Sequence, residues 1–274
     1  MRNLLTSLFI FAFLVSHGQI LQNKNYNSGT LSQGGLFILS CVGPNNPAML
    51  TDSFSTPGDF AAYASVSKSD AVCGGSNRTE WNTSSANFAL AEWVYWETYI
   101  PTWVPVDSRA FSSGQIHGSV NVPFSLWFQN GNNYAVIQNS KTNQSSNLTT
   151  NVTYPLGPYK IGAWQKNLVH FKRSIFSDGF FEMWIDGVYK FRYNGPTADI
   201  VGGVIDASYY WKSGIYKWNL AASAYDKAAA VTDNWKMGGP ATVLTDFYPD
   251  PLPPPDPLPT GPGNGGVRLP WIKL

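Results

Sequence analysis

The chain has 274 residues, with 18 Lys and Arg against 17 Asp and Glu, and only 13% of it is charged. That length can bury one large core, and a single β-sandwich can use all of it. No basic run or stripe occurs, which argues against a nucleic-acid partner.

In chain order, the N-terminus reads as a secretory signal. Arg2 supplies the positive start, Leu4 to Val15 is an apolar run of h-region length, and Ser16-His17-Gly18 carries small residues at −3 and −1. The run is too short to span a bilayer. The expected division is a signal peptide at 1–18, a β domain at 19–248 and a tail at 249–274. The expected location is extracellular, or periplasmic in a bacterium, with no membrane association once the signal is removed. Cys41 and Cys73 are the only cysteines. In an exported chain a disulfide between them is the default, worth roughly 3 kcal/mol on the chain-entropy model. Two buried free thiols are the alternative. Five Asn-x-Ser/Thr sequons, at Asn77, Asn82, Asn143, Asn147 and Asn151, are glycan acceptors if the source is eukaryotic.

Strand signals dominate after residue 30: short segments rich in Val, Ile, Phe, Tyr and Trp, separated by Gly, Pro, Asn and Ser. The pattern predicts strands over Leu36 to Cys41, Phe88 to Tyr99, Gly114 to Val120, Pro123 to Gln129, Asn133 to Gln138 and Leu168 to Ile175. Asp186-Gly187 is a two-residue turn within a hairpin from Phe180 to Tyr193, with Phe181, Met183 and Ile185 on one face. Asp178-Gly179 marks another turn. The polar stretch Lys141 to Thr153 reads as an exposed loop or edge. Ala221 to Val231, with three consecutive alanines, reads as a short helix. Pro249 to Gly266 is a stiff Pro- and Gly-rich linker or tail. The whole predicts an all-β fold, an antiparallel β-sandwich of the jelly-roll, concanavalin-like kind with a concave groove. Aromatics reach 15% of the chain, including 11 Trp and 14 Tyr. A Trp-rich core explains that content, and so does stacking on the apolar faces of sugar rings.

Three separated segments carry chemistry: Asn77 to Glu80, Gln115-Ile116-His117, and Tyr209 to Trp218. On a strand, residues two apart share a face. Arg78 goes with Glu80, Gln115 with His117, and Tyr210, Lys212, Tyr216 and Trp218 with one another. Solvated sheet faces usually carry Lys, Glu, Thr and Ser; this set suits ligand contact better. A lone His is more often structural. However, His17 leaves with the signal and His170 reads as surface or structural, which leaves His117 beside Gln115.

The chemistry that fits is β-elimination on a uronic-acid polymer. The C5 proton is only weakly acidic while the neighbouring carboxylate is charged, so donors must neutralise that carboxylate. Arg78 and Gln115 are donors of the right types. A base must take the C5 proton and an acid must protonate the departing O4. His117 and Tyr216 can fill these roles. One Tyr can serve as both when proton and leaving group share a ring face; His is the better base when they do not. No cofactor is required.

Taken in order, Arg78-Thr79-Glu80, Gln115-Ile116-His117 and Tyr-x-x-Lys-x-Gly-x-Tyr at Tyr209 to Tyr216 resemble the signature strands of the jelly-roll alginate lyase superfamily of polysaccharide lyases. The resemblance implies that Arg78, Gln115, His117 and Tyr216 line the active site. It also makes Lys212 a substrate contact, with Glu80, Tyr210 and Trp218 beside it. Trp164, Leu168 to Lys172, Asp178 to Gly187 and Tyr193 to Thr197 are similar to the glucuronan lyase and heparin lyase I group. Alginate lyases usually carry a second Arg after Arg-x-Glu, where this chain has Trp81 and Asn82. Few Lys or Arg cluster to meet the sulfates of heparin. A lightly charged, glucuronan-like polyuronate is therefore the expected substrate, bound by a monomer. A structural calcium ion can accompany that group, but no Asp-rich loop here assigns its ligands. Two other readings fit the residues less well. A non-catalytic lectin-like module explains the aromatics but not the Arg, Gln, His and Tyr set. A retaining glycoside hydrolase needs paired carboxyls, and the spacing of Glu182 and Asp186 does not supply them.

Overall fold

The computed structural model describes residues 20–24, 37–40, 48–51, 60–70, 77–119, 121–140, 149–201, 204–217 and 226–248. Residues 1–18 and 249–274, expected as a signal peptide and a tail, lie outside them, as do Cys41 and Cys73, Asn143 and Asn147, Trp218 and residues 221–225. The strands are β1 (Ile20–Lys24), β2 (Phe37–Ser40), β3 (Ala48–Thr51), β4 (Phe60–Ser67), β5 (Asn77–Thr83), β6 (Trp93–Tyr99), β7 (Phe111–His117), β8 (Phe124–Gln129) and β9 (Asn132–Ser140). They continue with β10 (Thr149–Pro158), β11 (Trp164–Lys172), β12 (Phe180–Ile185), β13 (Val188–Asn194), β14 (Ile200–Val201), β15 (Val204–Ile205), β16 (Tyr210–Lys217) and β17 (Lys227–Gly238). One sheet runs β13-β12-β11-β6-β17-β4-β3, with β1 also on β17; the other runs β10-β9-β8-β7-β16-β5-β2. All ladders within these two sheets are antiparallel. The expected β-sandwich is the fold of the chain.

Alternation along the strands builds the core. Phe124, Leu126 and Phe128 of β8 and Phe181, Met183 and Ile185 of β12 all turn into one cluster between the sheets. Asp186 (φ 53°) and Gly187 (φ 78°) make the predicted hairpin turn, with φ positive at both central residues as the strand twist demands. Asn130 (φ 50°) and Gly131 (φ 77°) repeat it between β8 and β9. Trp81, Trp96, Trp211 and Trp235 are fully buried, so much of the tryptophan content is core. The rings of Trp96 and Trp211 meet at 4.6 Å. A Cβ at Gly114 would come within 2.7 Å of Trp211 and 3.0 Å of Trp96, so the missing side chain there makes room for the pair. The core also holds a polar tie between the sheets. Asn133 and Gln165 exchange side-chain hydrogen bonds, Gln165 donates to Asn167, and Asn167 donates to Thr98. These groups are buried and mutually satisfied.

Several local expectations need correction. Lys227 to Val231 belongs to β17, not to a helix, and Ala228, Ala229 and Ala230 are buried core residues. Ladder bonds to β4 along the whole stretch, joined by β6 from Val231 onward, and burial in the core outweigh the few tenths of a kcal/mol by which alanine favours helix. Ser85–Phe88 forms one helical turn, so the strand predicted from Phe88 begins only at Trp93. The strand predicted from Gly114 begins at Phe111 and ends at His117. Residues 149–153, expected in a loop or edge, start the edge strand β10, where Thr153 is buried. Asn77 is buried, and its amide donates to the carbonyls of Ser67 and Asp70, which leaves no room for a glycan. His170 is structural as expected: it stacks on Trp93 and bonds Glu182 at 3.0 Å.

Gly114→Ala is expected to destabilise the fold by about 1–3 kcal/mol through overpacking against the two indoles, read as a lower denaturant midpoint. An unchanged midpoint would show that the indoles have slack.

Candidate active site

β16 lies between β7 and β5, and this order brings the three sequence segments together. Tyr210 pairs with His117 and Lys212 with Gln115 on one side; Lys212 pairs with Asn82, Gly214 with Glu80 and Tyr216 with Arg78 on the other. Trp211 and Ile215 point into the core, so Tyr210, Lys212, Gly214 and Tyr216 face outward. Likewise Thr79, Trp81 and Ile116 are almost fully buried, while Arg78, Glu80, Gln115 and His117 share the outer face. That face is recessed. Glu80 is 2% exposed, Gln115 3% and Lys212 6%, although none of them points into the core.

Gly214 lies between Lys212 and Tyr216 on β16, opposite Glu80. Across this strand the Glu80 carboxylate from β5 accepts a 2.6 Å hydrogen bond from Nε2 of Gln115 on β7. A Cβ at Gly214 would press on the Thr79 carbonyl and lie 2.9 Å from the Glu80 backbone, and φ there is +119°. The register of β16 against β7 also shifts between Ser213 and Tyr216, while its register against β5 does not. The bulge sits at the glycine, where a positive φ costs least.

Glu80 is the hub. Lys212 Nζ lies 3.5 Å and Arg78 Nη1 3.9 Å from its Oε2. Burial pushes its carboxyl pKa up, and Lys212, Arg78 and Gln115 pull it back. One Gln115 N–H is spent on Glu80, which leaves the amide's second donor. The guanidinium of Arg78 also lies 4.5 Å from the ring centre of Tyr216. With its carboxylate occupied from three sides, Glu80 suits holding the donors better than touching a substrate.

His117 Nδ1 is hydrogen-bonded to the Gly118 carbonyl. A carbonyl only accepts, so Nδ1 carries the proton and Nε2 keeps its lone pair in the neutral ring. Burial, then the charge of Lys212, presses the His117 pKa down to about 4. The ring stacks on Tyr210, 5.1 Å between centroids. Burial raises the pKa of the Tyr210 hydroxyl, with Glu80 adding to it, so Tyr210 stays protonated. The turn after His117 is pinned by Asp206, which accepts bonds from the Ser119 N–H at 2.7 Å and hydroxyl at 2.8 Å. A Cβ at Gly118 would lie 2.8 Å from that carboxylate. Sequence reasoning assigned no part to Gly214 or Asp206. Gly214 stands inside the quoted motif and alternation puts it on the active face; no local signal marked Asp206. Among the described residues, no group of three His, Cys, Asp or Glu could hold a metal ion.

The outer face of the sandwich thus gathers an arginine, an amide, a neutral imidazole and a tyrosine. Residues 22–238 match the polysaccharide lyase family, and the chain belongs to it. Its fold is similar to that of an endo-β-1,4-glucuronan lyase from the fungus Trichoderma reesei, with TM-score 0.67, 14% identity, and 84% of this chain and 98% of that chain covered. It is also similar to the alginate lyase vAL-1 from Chlorella virus, with TM-score 0.54, 13% identity, and 81% and 100% covered. No curated protein matches the chain in sequence. The chain is a polysaccharide lyase.

Two predictions follow from the hub and the imidazole. Glu80→Gln removes the counter-charge of Lys212 and Arg78, and kcat/KM is expected to fall about 10- to 100-fold as the donors lose their alignment; a change below twofold would deny Glu80 a holding role. For His117, the folded pKa of about 4 lies below the ordinary 6.5. Protonation therefore favours the unfolded chain, and this group's share of stability is lost as pH falls from about 6.5 towards 4. If neutral His117 is needed, the acid limb of kcat/KM should have its midpoint below pH 5; a midpoint near 6.5 would contradict its burial.

Proposed function

We propose that this lyase is exported and cleaves a glucuronan-like polyuronate by β-elimination, leaving an unsaturated uronate at each new non-reducing end. Arg78, Lys212 and the remaining N–H of Gln115 meet the substrate carboxylate, offset the charge that develops there and so acidify C5. The observation that carries the reading is the pairing of β16 with β7 and β5, which assembles these donors beside His117 and Tyr216 on one recessed face. In a β-1,4-linked glucuronate the C5 proton and O4 lie on the same ring face, so Tyr216, reacting as its phenolate, can take the C5 proton to become the phenol and pass that proton to the departing O4, which restores the phenolate. The neutral Nε2 of His117 is free to accept a hydrogen bond in the same site. On a substrate with the two groups on opposite faces, His117 becomes the base and Tyr216 the acid. Export rests on the N-terminal apolar segment described above. The sparse positive charge and the Trp81-Asn82 departure support a lightly charged polymer over heparin and alginate.

The test is ultraviolet absorbance of the unsaturated product on glucuronan, alginate, hyaluronan and heparin. The expected order is led by glucuronan. Tyr216→Phe should lose at least about 1,000-fold in kcat, and His117→Ala less on glucuronan than on a polymer of opposite stereochemistry. Wild-type binding with no absorbance rise on any polymer would favour the lectin reading, and a rise that survives Tyr216→Phe would remove Tyr216 from the chemistry.

A further inference from the structure

The pairings across the seven-stranded sheet extend beyond the site. Arg78 pairs with Tyr216, Tyr216 with Ser112, Ser112 with Trp127, Trp127 with Tyr134, and Tyr134 with Pro155. These residues form one row crossing the strands from the site to β10. Trp127 and Tyr134 are outward residues. Phe124, Leu126 and Phe128 on β8 and Ala135 and Ile137 on β9 turn into the core, while Trp127, between Leu126 and Phe128, and Tyr134, next to Ala135, are half-buried and belong to no core cluster. Ser112, between Tyr216 and Trp127, is nearly covered, and its hydroxyl is tied to that of Ser125 at 2.9 Å. The row thus passes from the site over a low serine floor to two aromatic rings.

We infer that Trp127 and Tyr134 form a stacking platform for sugar units of the polyuronate beyond the one being cut, an inference that rests on the lyase reading above. Neighbouring strands lie about 4.8 Å apart, so Trp127 stands two strand spacings, roughly 10 Å, and Tyr134 three, roughly 14 Å, from the backbone of Tyr216. Sugars bound there lie outside the reacting unit and present apolar ring faces, which aromatic rings accept without regard to carboxylate charge. The strong carboxylate donors are confined to the Arg78, Gln115 and Lys212 cluster. The platform therefore adds grip for chain length, and the cluster selects the uronate to be cut.

The experiment compares kcat/KM on size-fractionated glucuronan oligosaccharides and on polymer. In Trp127→Ala the long-to-short ratio of kcat/KM should fall roughly five- to tenfold relative to wild type, with Tyr134→Ala shifting it less and only for longer chains. A ratio unchanged in both variants, even with uniformly lower activity, would overturn the platform. If Trp127→Ala does not fold, Trp127→Leu is read in its place, since it keeps bulk but loses the ring. Retardation in glucuronan-containing native gels separates this test from that of the lyase reading. If wild type makes no unsaturated product, the substrate assignment falls, and the platform stands or falls on whether the variants lose retardation. Absent or unchanged retardation overturns it.

Discussion

The pairing of β16 between β7 and β5 is the constraint on which the site depends. Each flanking strand supplies only part of the chemistry: β5 brings Arg78 and Glu80, and β7 brings Gln115 and His117. The central strand adds Lys212 and Tyr216 and, at Gly214, a close approach to the β5 backbone that only glycine permits. Because side chains alternate along a strand, a slip of one residue would send Lys212 and Tyr216 into the core and Trp211 and Ile215 outward. The buried Trp96 and Trp211 pair, accommodated at Gly114, opposes that slip from the core side. The register that packs the tryptophans is the register that assembles the catalytic face.

The electrostatics follow from burial. A carboxylate as enclosed as that of Glu80 is costly unless compensated, and Lys212, Arg78 and Gln115 compensate it. The same enclosure, with the nearby cations, keeps His117 neutral. Two groups of the site are thus held in the states that elimination needs: donors ordered around one hub and an imidazole with its lone pair free. The hydrogen bond to the Gly118 carbonyl sets the tautomer, and Asp206 fixes the turn that presents that carbonyl. Elements outside the motifs therefore decide the chemical state of residues within them.

Much of the site was legible because it lies on strands. Period-two alternation is local, so Arg78 with Glu80, Gln115 with His117, and Lys212 with Tyr216 could be assigned to shared faces from the chain alone. Burial of polar groups was not legible in that way. Parity placed Glu80 on the outer face with Arg78, but not its enclosure: in the sheet its carboxylate is covered by donors from two other strands. The alanines of β17 read as helix because intrinsic preference is all a single segment displays, and pairing with β4 and burial in the core overrule it. The tie through Asn133, Gln165 and Asn167 gave no signal, since each is an ordinary polar residue until three strands bring the set together.

By itself the sequence determined the fold class, the faces of the three motif strands and the kind of chemistry their residues can perform, because side-chain type and strand parity are local properties. The tertiary structure alone decided that β16 runs between β5 and β7, that Glu80 gathers Gln115, Lys212 and Arg78, that His117 is neutral with Nε2 free, and that the row through Arg78 and Tyr216 continues to Trp127 and Tyr134. These depend on strand order, register and desolvation, which arise only when segments far apart in the chain share a sheet.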